Sequence, residues 1–260
     1  MKYTEQTKLT KREKAAVEQL LEACRSREPF SLHFPADEPD TRFFLAEEDD
    51  GALSGALSLS RLGDGEYELQ AYVTPEKRKQ GIFRHLLETA RCSIPGGDAE
   101  SEIRVPVEEG MESAAAVLQH LSAKVGETEL ELECPLKEAA VADALTFRFR
   151  KSRPSAEGVI CYEALPPEGQ AAGKDADRPV FRAFLMPMGE HRCYLHRIAT
   201  RKDLIGQGVG KKVLPEFLAV LKNSGYETAL LQVAAVNLPA VRLYEGAGFN
   251  TRRKLTYYTL

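Results

Sequence analysis

A chain of 260 residues with a formal net charge of −4 has no electrostatic bias toward nucleic acid or an anionic membrane, and neither is expected as a partner. Its apolar share, 43%, is that of a soluble globular protein with a proper core, in one large domain or two of ordinary size, and no run approaches the roughly 18 apolar residues of a membrane span. Five scattered cysteines without a CxxC pair and five histidines without a ligand cluster argue for reduced structural thiols and against a bound metal.

The opening MKYTEQTKLTKREK lacks the apolar core of a signal peptide, so a cytoplasmic protein is expected. The first predicted element is a helix from Thr10 to about Cys24, with Leu20 and Leu21 on its inner face. Two hairpin-like strands follow, RFFLAEED and GALSGALSLSRL. The stretch from Tyr67 to Ala90 begins as an alternating strand, passes a basic loop with one glycine and enters a helix. Ile82, Leu86 and Ala90 fall at helical spacing there, with Phe83 and Leu87 beside them. SEIRVPVEE then reads as a strand, SAAAVLQHLSAKV as a short helix and ETELELEC as a strand closing this half. Pro106 cannot donate a ladder hydrogen bond, which is tolerable where that strand's edge is splayed.

The second half repeats the first. Shifted by 127 residues, Gln80-Gly81-Ile82 falls on Gln207-Gly208-Val209, and Leu86-Leu87 falls on Val213-Leu214. The strand YETALLQVAAV, the helix NLPAVRLYEGAGF and the closing strand RRKLTYYTL then repeat the downstream order. Pro215 is expected to kink the helix after the loop or to end its first turns. LPPEGQAAGKDADRP, rich in proline and glycine, reads as a surface loop. Two related α/β (α+β) domains are therefore expected, 1–140 and 141–260, each a mixed, mostly antiparallel sheet flanked by helices, with the join between Cys134 and Pro154.

The loop IGQGVGKKVL carries the first chemical signal. A strand feeds it and a helix leaves it, so successive backbone N–H groups converge where an anion meets the positive end of the helix dipole. Gly208 and Gly210 let a pyrophosphate approach the backbone, and Arg201, Lys202, Lys211 and Lys212 flank it. Taken alone, this pattern is more often that of a tight turn with close helix packing. About thirty residues later comes N-x-x-A-x-x-L-Y-E-x-x-G-F, with Asn237, Ala240, Leu243, Tyr244, Gly248 and Phe249 in place.

Loop and motif together resemble the GNAT superfamily of acetyl-CoA-dependent N-acetyltransferases. The resemblance covers most of Tyr194 to Leu260 and, more weakly, Phe43 to Glu133, as a tandem pair. It implies that the backbone of Ile205, Gly206, Gln207, Gly208, Val209, Gly210 and Lys211 binds the pyrophosphate of coenzyme A. The strand end Ile198, Ala199 and Thr200 would hydrogen-bond the pantetheine arm, and Asn237 would steady the cofactor. Tyr244 would sit near the sulfur and protonate the leaving thiolate as general acid. Ile205 departs from the family's Arg or Gln at the head of the loop, which removes one contact. The family's carboxylate base is also missing, since EHRCYLHRIAT has none after Glu190. His196 is the candidate base, as histidine titrates near neutrality; Glu190 and a water chain are the alternatives.

The N-terminal copy keeps Arg78 at the loop head and Gly81, but Phe83 takes the second glycine's place. Glu66 and Glu68 stand on its preceding strand, while the alignment sets Ser113 opposite Asn237 and His120 opposite Tyr244. Two readings stand. Val73, Arg78, Lys79, Gln80, Gly81 and Ile82 form a second, weaker cofactor site or this copy helps form the acceptor site, or else it is a degenerate, structural relic. Acetyl transfer to a primary amine of a small molecule or peptide is expected, with acetyl-CoA as co-substrate and the C-terminal copy catalytic. The acceptor would enter by a wall of Tyr257, Tyr258 and the loop from Leu165 to Pro179. The rivals are a non-catalytic acetyl-CoA sensor, and a transferase with a longer acyl group or a non-amine acceptor. A monomer or a homodimer fits either.

Overall fold

Thr10 starts the first helix by a reciprocal cap. Glu13 N–H donates to the Thr10 hydroxyl (3.3 Å) and Thr10 N–H to the Glu13 carboxylate (2.7 Å), which satisfies two amides that the helix leaves open. The computed structural model describes residues 1–96, 101–137, 145–169 and 177–260. It divides into two units, Met1–Thr128 with Leu255–Leu260, and Glu129–Lys254. The expected join at 140/141 lies outside the described residues. None of the described helices is long and apolar enough to cross a membrane.

The first unit contains β1 (Lys2–Gln6), α1 (Lys11–Arg27), β2 (Thr41–Glu47), β3 (Leu53–Gly63), β4 (Glu66–Val73), α2 (Ile82–Cys92), β5 (Glu102–Glu108) and α3 (Glu112–His120). Its strands pair in the order β1-β2-β3-β4-β5, antiparallel except that β4 and β5 run parallel. Two apolar layers cover the sheet. One holds Ile82, Leu86, Leu87 and Ala90 of α2 and Leu118 of α3 against Leu57, Leu69 and Ile103. The other packs Val17, Leu20, Leu21 and Cys24 of α1 on Phe43, Leu45, Ala56 and Tyr72. Period-two alternation in β2 to β4 feeds one layer and then the other.

The second unit contains β7 (Arg148–Lys151), β8 (Ile160–Leu165), β9 (Phe181–Met188), β10 (Arg192–Thr200), α4 (Val209–Asn223), β11 (Thr228–Ala234) and α5 (Leu238–Gly246). Its strands pair β7-β8-β9-β10-β11, again antiparallel except for the parallel β10 and β11. Val213, Phe217 and Leu221 of α4 and Val241 and Tyr244 of α5 share one apolar cluster with Cys193, Leu195, Ala229 and Leu231. Both helices therefore lie on the same face of this sheet, and no described helix of the unit covers the other. Pro215 sits inside α4 and does not end it. The flanking residues Val213, Leu214, Phe217 and Leu218 are all buried, so packing outweighs the one lost hydrogen bond.

The expected α/β class, mixed and mostly antiparallel sheets with helices against them, is what the chain forms. The closing strands are exchanged, however. β6 (Lys124–Pro135), read from sequence as the end of the first half, pairs through Glu129–Pro135 with β11 of the second unit. β12 (Asn250–Thr259) returns to the first, where Leu255–Thr259 pairs with β5. Alternation identifies a strand but not its partner. In the second unit the buried Glu131 of β6 accepts from Arg252 and Arg253 at 2.6 Å each. Tyr257 pairs with Pro106 and lies 4.6 Å from the Arg104 guanidinium, and Tyr258 packs on the α2 layer. Tyr257 and Tyr258 thus belong to the first unit, not to the second as the two halves read from sequence had them. Residues 170–176 of the loop expected to form the acceptor wall with them lie outside the described residues. Pro106 itself falls beyond the last β4–β5 pair, Glu68↔Arg104, so the missing donor meets the splayed edge as expected.

Candidate active site

β10 and β11 are paired only from Arg192↔Thr228 to Leu195↔Leu231. Past Leu195 they separate, while β10 stays paired with β9 at Ala199↔Arg182 and Thr200↔Phe181. The edge of Ile198, Ala199 and Thr200 that faces β11 therefore has no strand partner. A 3-10 turn at Lys202–Leu204 follows, and Gly206 (φ 81°) and Gly208 (φ 76°) take left-handed backbone that other residues adopt only with strain. Gly208 caps α4, whose first backbone bond runs from Lys212 N–H to the Gly208 carbonyl (3.3 Å). The amides of Val209, Gly210 and Lys211 precede that bond and are open to an anion.

Gly210 is glycine for a different reason. A Cβ there would lie 3.3 Å from Thr200 Oγ1 and 3.4 Å from Leu243 Cδ2. The strand end, the start of α4 and the middle of α5 meet at this point. Lys202, Lys211 and Lys212 make no ion pair with the described residues. Arg201 pairs with Asp203 (2.7 Å), yet its buried Nη1 has no partner among them. Orphaned donors around open helix amides fit the phosphates of a coenzyme A. Ile205, at the head of the loop, is 66% exposed. No group of His, Cys, Asp and Glu among the described residues has the arrangement of a metal site.

α5 presents the second motif. Asn237 is its N-cap, accepting from Ala240 N–H at 3.3 Å, and Pro239 falls in the first turn where its missing N–H costs nothing. Tyr244 is buried, with its ring 5.8 Å from that of Phe249. Its hydroxyl has no hydrogen-bond partner among the described residues, and burial raises its pKa above the ordinary 10.0. A phenol in that state stays protonated at neutral pH and has a proton to give.

His196 stands one residue past the last β10–β11 pair, on the face that no described helix of its unit covers. Its ring lies 5.7 Å from Phe184 and 6.2 Å from Tyr194, whose hydroxyl donates to Gln232 (2.9 Å). Glu190 lies in the turn before β10, at the opposite end of the strand from the loop, 3.9 Å from His191. The structure does not bring it to the site.

The sequence reading missed one residue, Arg197. His196 pairs with Phe184 but Ala199 with Arg182, so β10 holds one residue more than β9 opposite. That bulge contains Arg197 at φ 49°, a left-handed conformation costing a non-glycine residue of order 1–3 kcal/mol. The offset between the halves carried the signal. It is 127 for the loops and the strand ends, but Cys193 and Leu195 match the inward-facing Tyr67 and Leu69 with 126. Gln70, not a glutamate, then corresponds to His196, and Glu68 to Tyr194.

The same frame in the first unit is closed. β4 and β5 pair only over Glu66–Glu68 and then part, and Gly81 (φ 84°) caps α2 as Gly208 caps α4. Here the Val73 carbonyl, counterpart of Thr200, accepts from Arg78 Nε (3.3 Å) and Cys24 Sγ (3.5 Å). Arg78 Nη1 donates to Ser113 Oγ (2.8 Å) and pairs with Glu28 (3.3 Å). Glu28 in turn accepts from Ser113 N–H (2.8 Å) and Oγ (2.7 Å). Desolvation acts against the Glu28 carboxylate, but Ser113 and Arg78 outweigh it and hold its pKa below the ordinary value.

The helix motif is also gone. The alignment of Ser113 with Asn237 and His120 with Tyr244 is corrected by the helix ends. Ala123 N–H donates to the Leu118 carbonyl as Phe249 N–H donates to that of Tyr244, and Ser122 (φ 57°) stands where Gly248 does. Leu118 thus takes the tyrosine's place and Met111, which makes no side-chain cap, takes the asparagine's.

Residues 139–249 match the family model described as the acetyltransferase (GNAT) family. A mycothiol acetyltransferase from Clavibacter michiganensis subsp. michiganensis (strain NCPPB 382) is 24% identical over 247 residues, covering 80% of each chain. A GCN5-related N-acetyltransferase from Sphaerobacter thermophilus shares the fold with a TM-score of 0.72 at 14% identity, over 99% of this chain and 95% of that one. A tandem GNAT protein from the clavulanic acid biosynthesis pathway does so with a TM-score of 0.64 at 14% identity, over 100% and 98%. The family-model match and the curated relative point to an N-acetyltransferase as the enzyme class, and the solved structures share its fold.

Proposed function

We propose that the C-terminal half, 141–260 in the sequence reading, transfers an acetyl group from acetyl-CoA to a primary amine of a small molecule or peptide by direct attack. The meeting of strand end, helix start and α5 at Gly210 carries this reading, because the glycine loop, a free strand edge and the Tyr244 helix all adjoin that point. Acetyl-CoA supplies the activated thioester carbonyl. The amides of Gly206, Gly208, Val209, Gly210 and Lys211 hold its pyrophosphate, the loop residues Ile205 and Gln207 shape that cradle, and Ile198 to Thr200 hold the pantetheine arm. Asn237 keeps the start of α5 in place beside them.

His196 takes a proton from the acceptor ammonium, directly or through water, which frees the nitrogen lone pair. As the C–N bond forms and the C–S bond breaks, Tyr244 gives its proton to the sulfur. The second amine proton leaves through His196 or solvent, and Tyr244 is reprotonated. The first unit binds no coenzyme A in this reading. Arg78, Ser113 and Val73 satisfy one another, so the set Val73, Arg78, Lys79, Gln80, Gly81 and Ile82 is a structural relic. A cytoplasmic location and a monomer or homodimer accord with it.

Thiol release from acetyl-CoA with a panel of amines tests the reading, for the wild type and for Tyr244→Phe. Turnover that Tyr244→Phe reduces at least a hundredfold supports it. Tight acetyl-CoA binding with no turnover of any amine supports a sensor instead. Full activity in Tyr244→Phe removes the acid assignment.

A further inference from the structure

We propose that Arg197 is a specificity residue that anchors a carboxylate of the acceptor, so that the preferred substrates are amines that also carry a carboxylate. This rests on the acetyltransferase reading and names its substrate class.

By simple alternation Arg197 would follow Cys193 and Leu195 into the apolar cluster of α4 and α5. The extra residue in β10 prevents that, since Ile198 packs on that cluster instead. The left-handed backbone turns Arg197 back onto the His196 face, where its guanidinium lies 5.8 Å from the Phe184 ring centre. His196 lies 5.7 Å from the same ring. A proton acceptor and a fixed cation therefore flank one aromatic platform, on the face that no described helix of this unit covers.

The charges of that face differ in their partners. Arg150 and Arg182 share Glu163, and Arg252 and Arg253 share Glu131. Arg197 is exposed and has no carboxylate partner among the described residues. Its guanidinium lies over the Phe184 ring with no carboxylate among the described residues on its N–H fork, and such a fork can hold a carboxylate in bidentate fashion. The phosphate loop leads into α4 on the opposite face, which separates Arg197 from the pyrophosphate cradle. The twin strand has no such device. β4 pairs with β3 without a break from Gly55↔Val73 to Arg61↔Tyr67. A strained arginine stands beside the candidate base where glycine or asparagine would sit at ease, and the closed copy has none at the corresponding strand.

The test uses matched probes, phenylalanine with phenethylamine and lysine with cadaverine, in which the second member lacks the carboxylate. Thiol release gives kcat and KM, and calorimetry in the presence of coenzyme A gives acceptor affinity without turnover. The wild type should prefer the carboxylated member, and Arg197→Ala should reduce that ratio about tenfold or more, mostly through KM. Arg197→Gly should do the same, because glycine suits the left-handed backbone and separates loss of the guanidinium from loss of fold. Arg197→Lys should restore part of the ratio.

Equal turnover of both members by the wild type overturns the proposal while leaving acetyl transfer intact. So does an unchanged ratio in Arg197→Gly with a raised Kd for coenzyme A, which would assign the arginine to the cofactor. Failure of the underlying reading looks different, with no thiol released by any amine and no acceptor heat.

Discussion

The two units build one frame twice, and among the described residues only the second leaves it open. Each has a parallel strand pair that parts after a few residues, a 3-10 turn, a left-handed glycine cap and a helix with open amides. In the second unit the parted strands lead to lysines without an ion pair among the described residues, a free strand edge and a buried phenol. In the first, Arg78, Glu28, Ser113 and Cys24 fill the equivalent place with hydrogen bonds to one another. The sheets also differ on their second face, which α1 covers in one unit and no described helix covers in the other. A fold of this kind persists on its apolar layers alone, so the chemistry can be lost from one copy without loss of structure.

The comparison breaks most visibly at Tyr244, whose counterpart is Leu118. Tyr244→Phe should lower kcat by about 10²–10⁴ while leaving the Kd for acetyl-CoA unchanged, measured by thiol release and calorimetry. Because burial raises the Tyr244 pKa, any alkaline limb of kcat that it governs should lie above pH 10.0, and Tyr244→Phe should abolish that limb.

Stoichiometry comes next. Calorimetry should find one coenzyme A per chain. Gly208→Val forces a β-branched residue to φ 76° and should weaken binding about tenfold or more, while Gly81→Val imposes the same strain at φ 84° without changing coenzyme A affinity. Two sites per chain would reopen the first unit as a cofactor site. A smaller effect is expected at Gly210→Ala, where the new Cβ presses on Thr200 and Leu243 at 3.3 and 3.4 Å and should raise the KM for acetyl-CoA a few-fold.

The smallest effect concerns stability. Glu28→Gln removes the charge that holds Arg78 and Ser113 and should cost roughly 1–2 kcal/mol by denaturant titration at pH 7. Glu28 has its pKa lowered in the folded chain, so its contribution is present above the ordinary 4.5 and is lost as the pH falls through the folded value. The difference between wild type and Glu28→Gln should therefore shrink below pH 4.5. A constant difference across that range would mean that Glu28 acts by packing and not by charge.

Much of this was legible in the residues themselves. The repeat, the loop glycines and the run from Asn237 to Phe249 are local patterns, and each became a local structure: a turn with positive φ, a helix N-cap, a Schellman-type end at Gly248. Pro215 does not end its helix, because propensity weighs one residue whereas burial of Val213, Leu214, Phe217 and Leu218 weighs the whole face. The alignment of His120 with Tyr244 failed because a helix register is set by its caps, and those of α3 leave little trace in composition. β1, β7, β8 and β9 were not anticipated as strands; β1, β7 and β8 have five, four and six residues, too few for period two to stand out.

Local chemistry by itself determined that this chain has two similar halves, which of them carries Tyr244 and the Asn237 N-cap, and where the glycine loop before α4 lies. Backbone conformation at glycine, proline and capping residues depends on near neighbours, so sequence suffices for it. Only the tertiary structure decided that the closing strands are exchanged, that Glu28 and Arg78 seal the first copy, and that one extra residue in β10 carries Arg197 to the face of His196. Each of these depends on pairing between segments tens of residues apart, and a strand's own sequence does not say which neighbour it will bond.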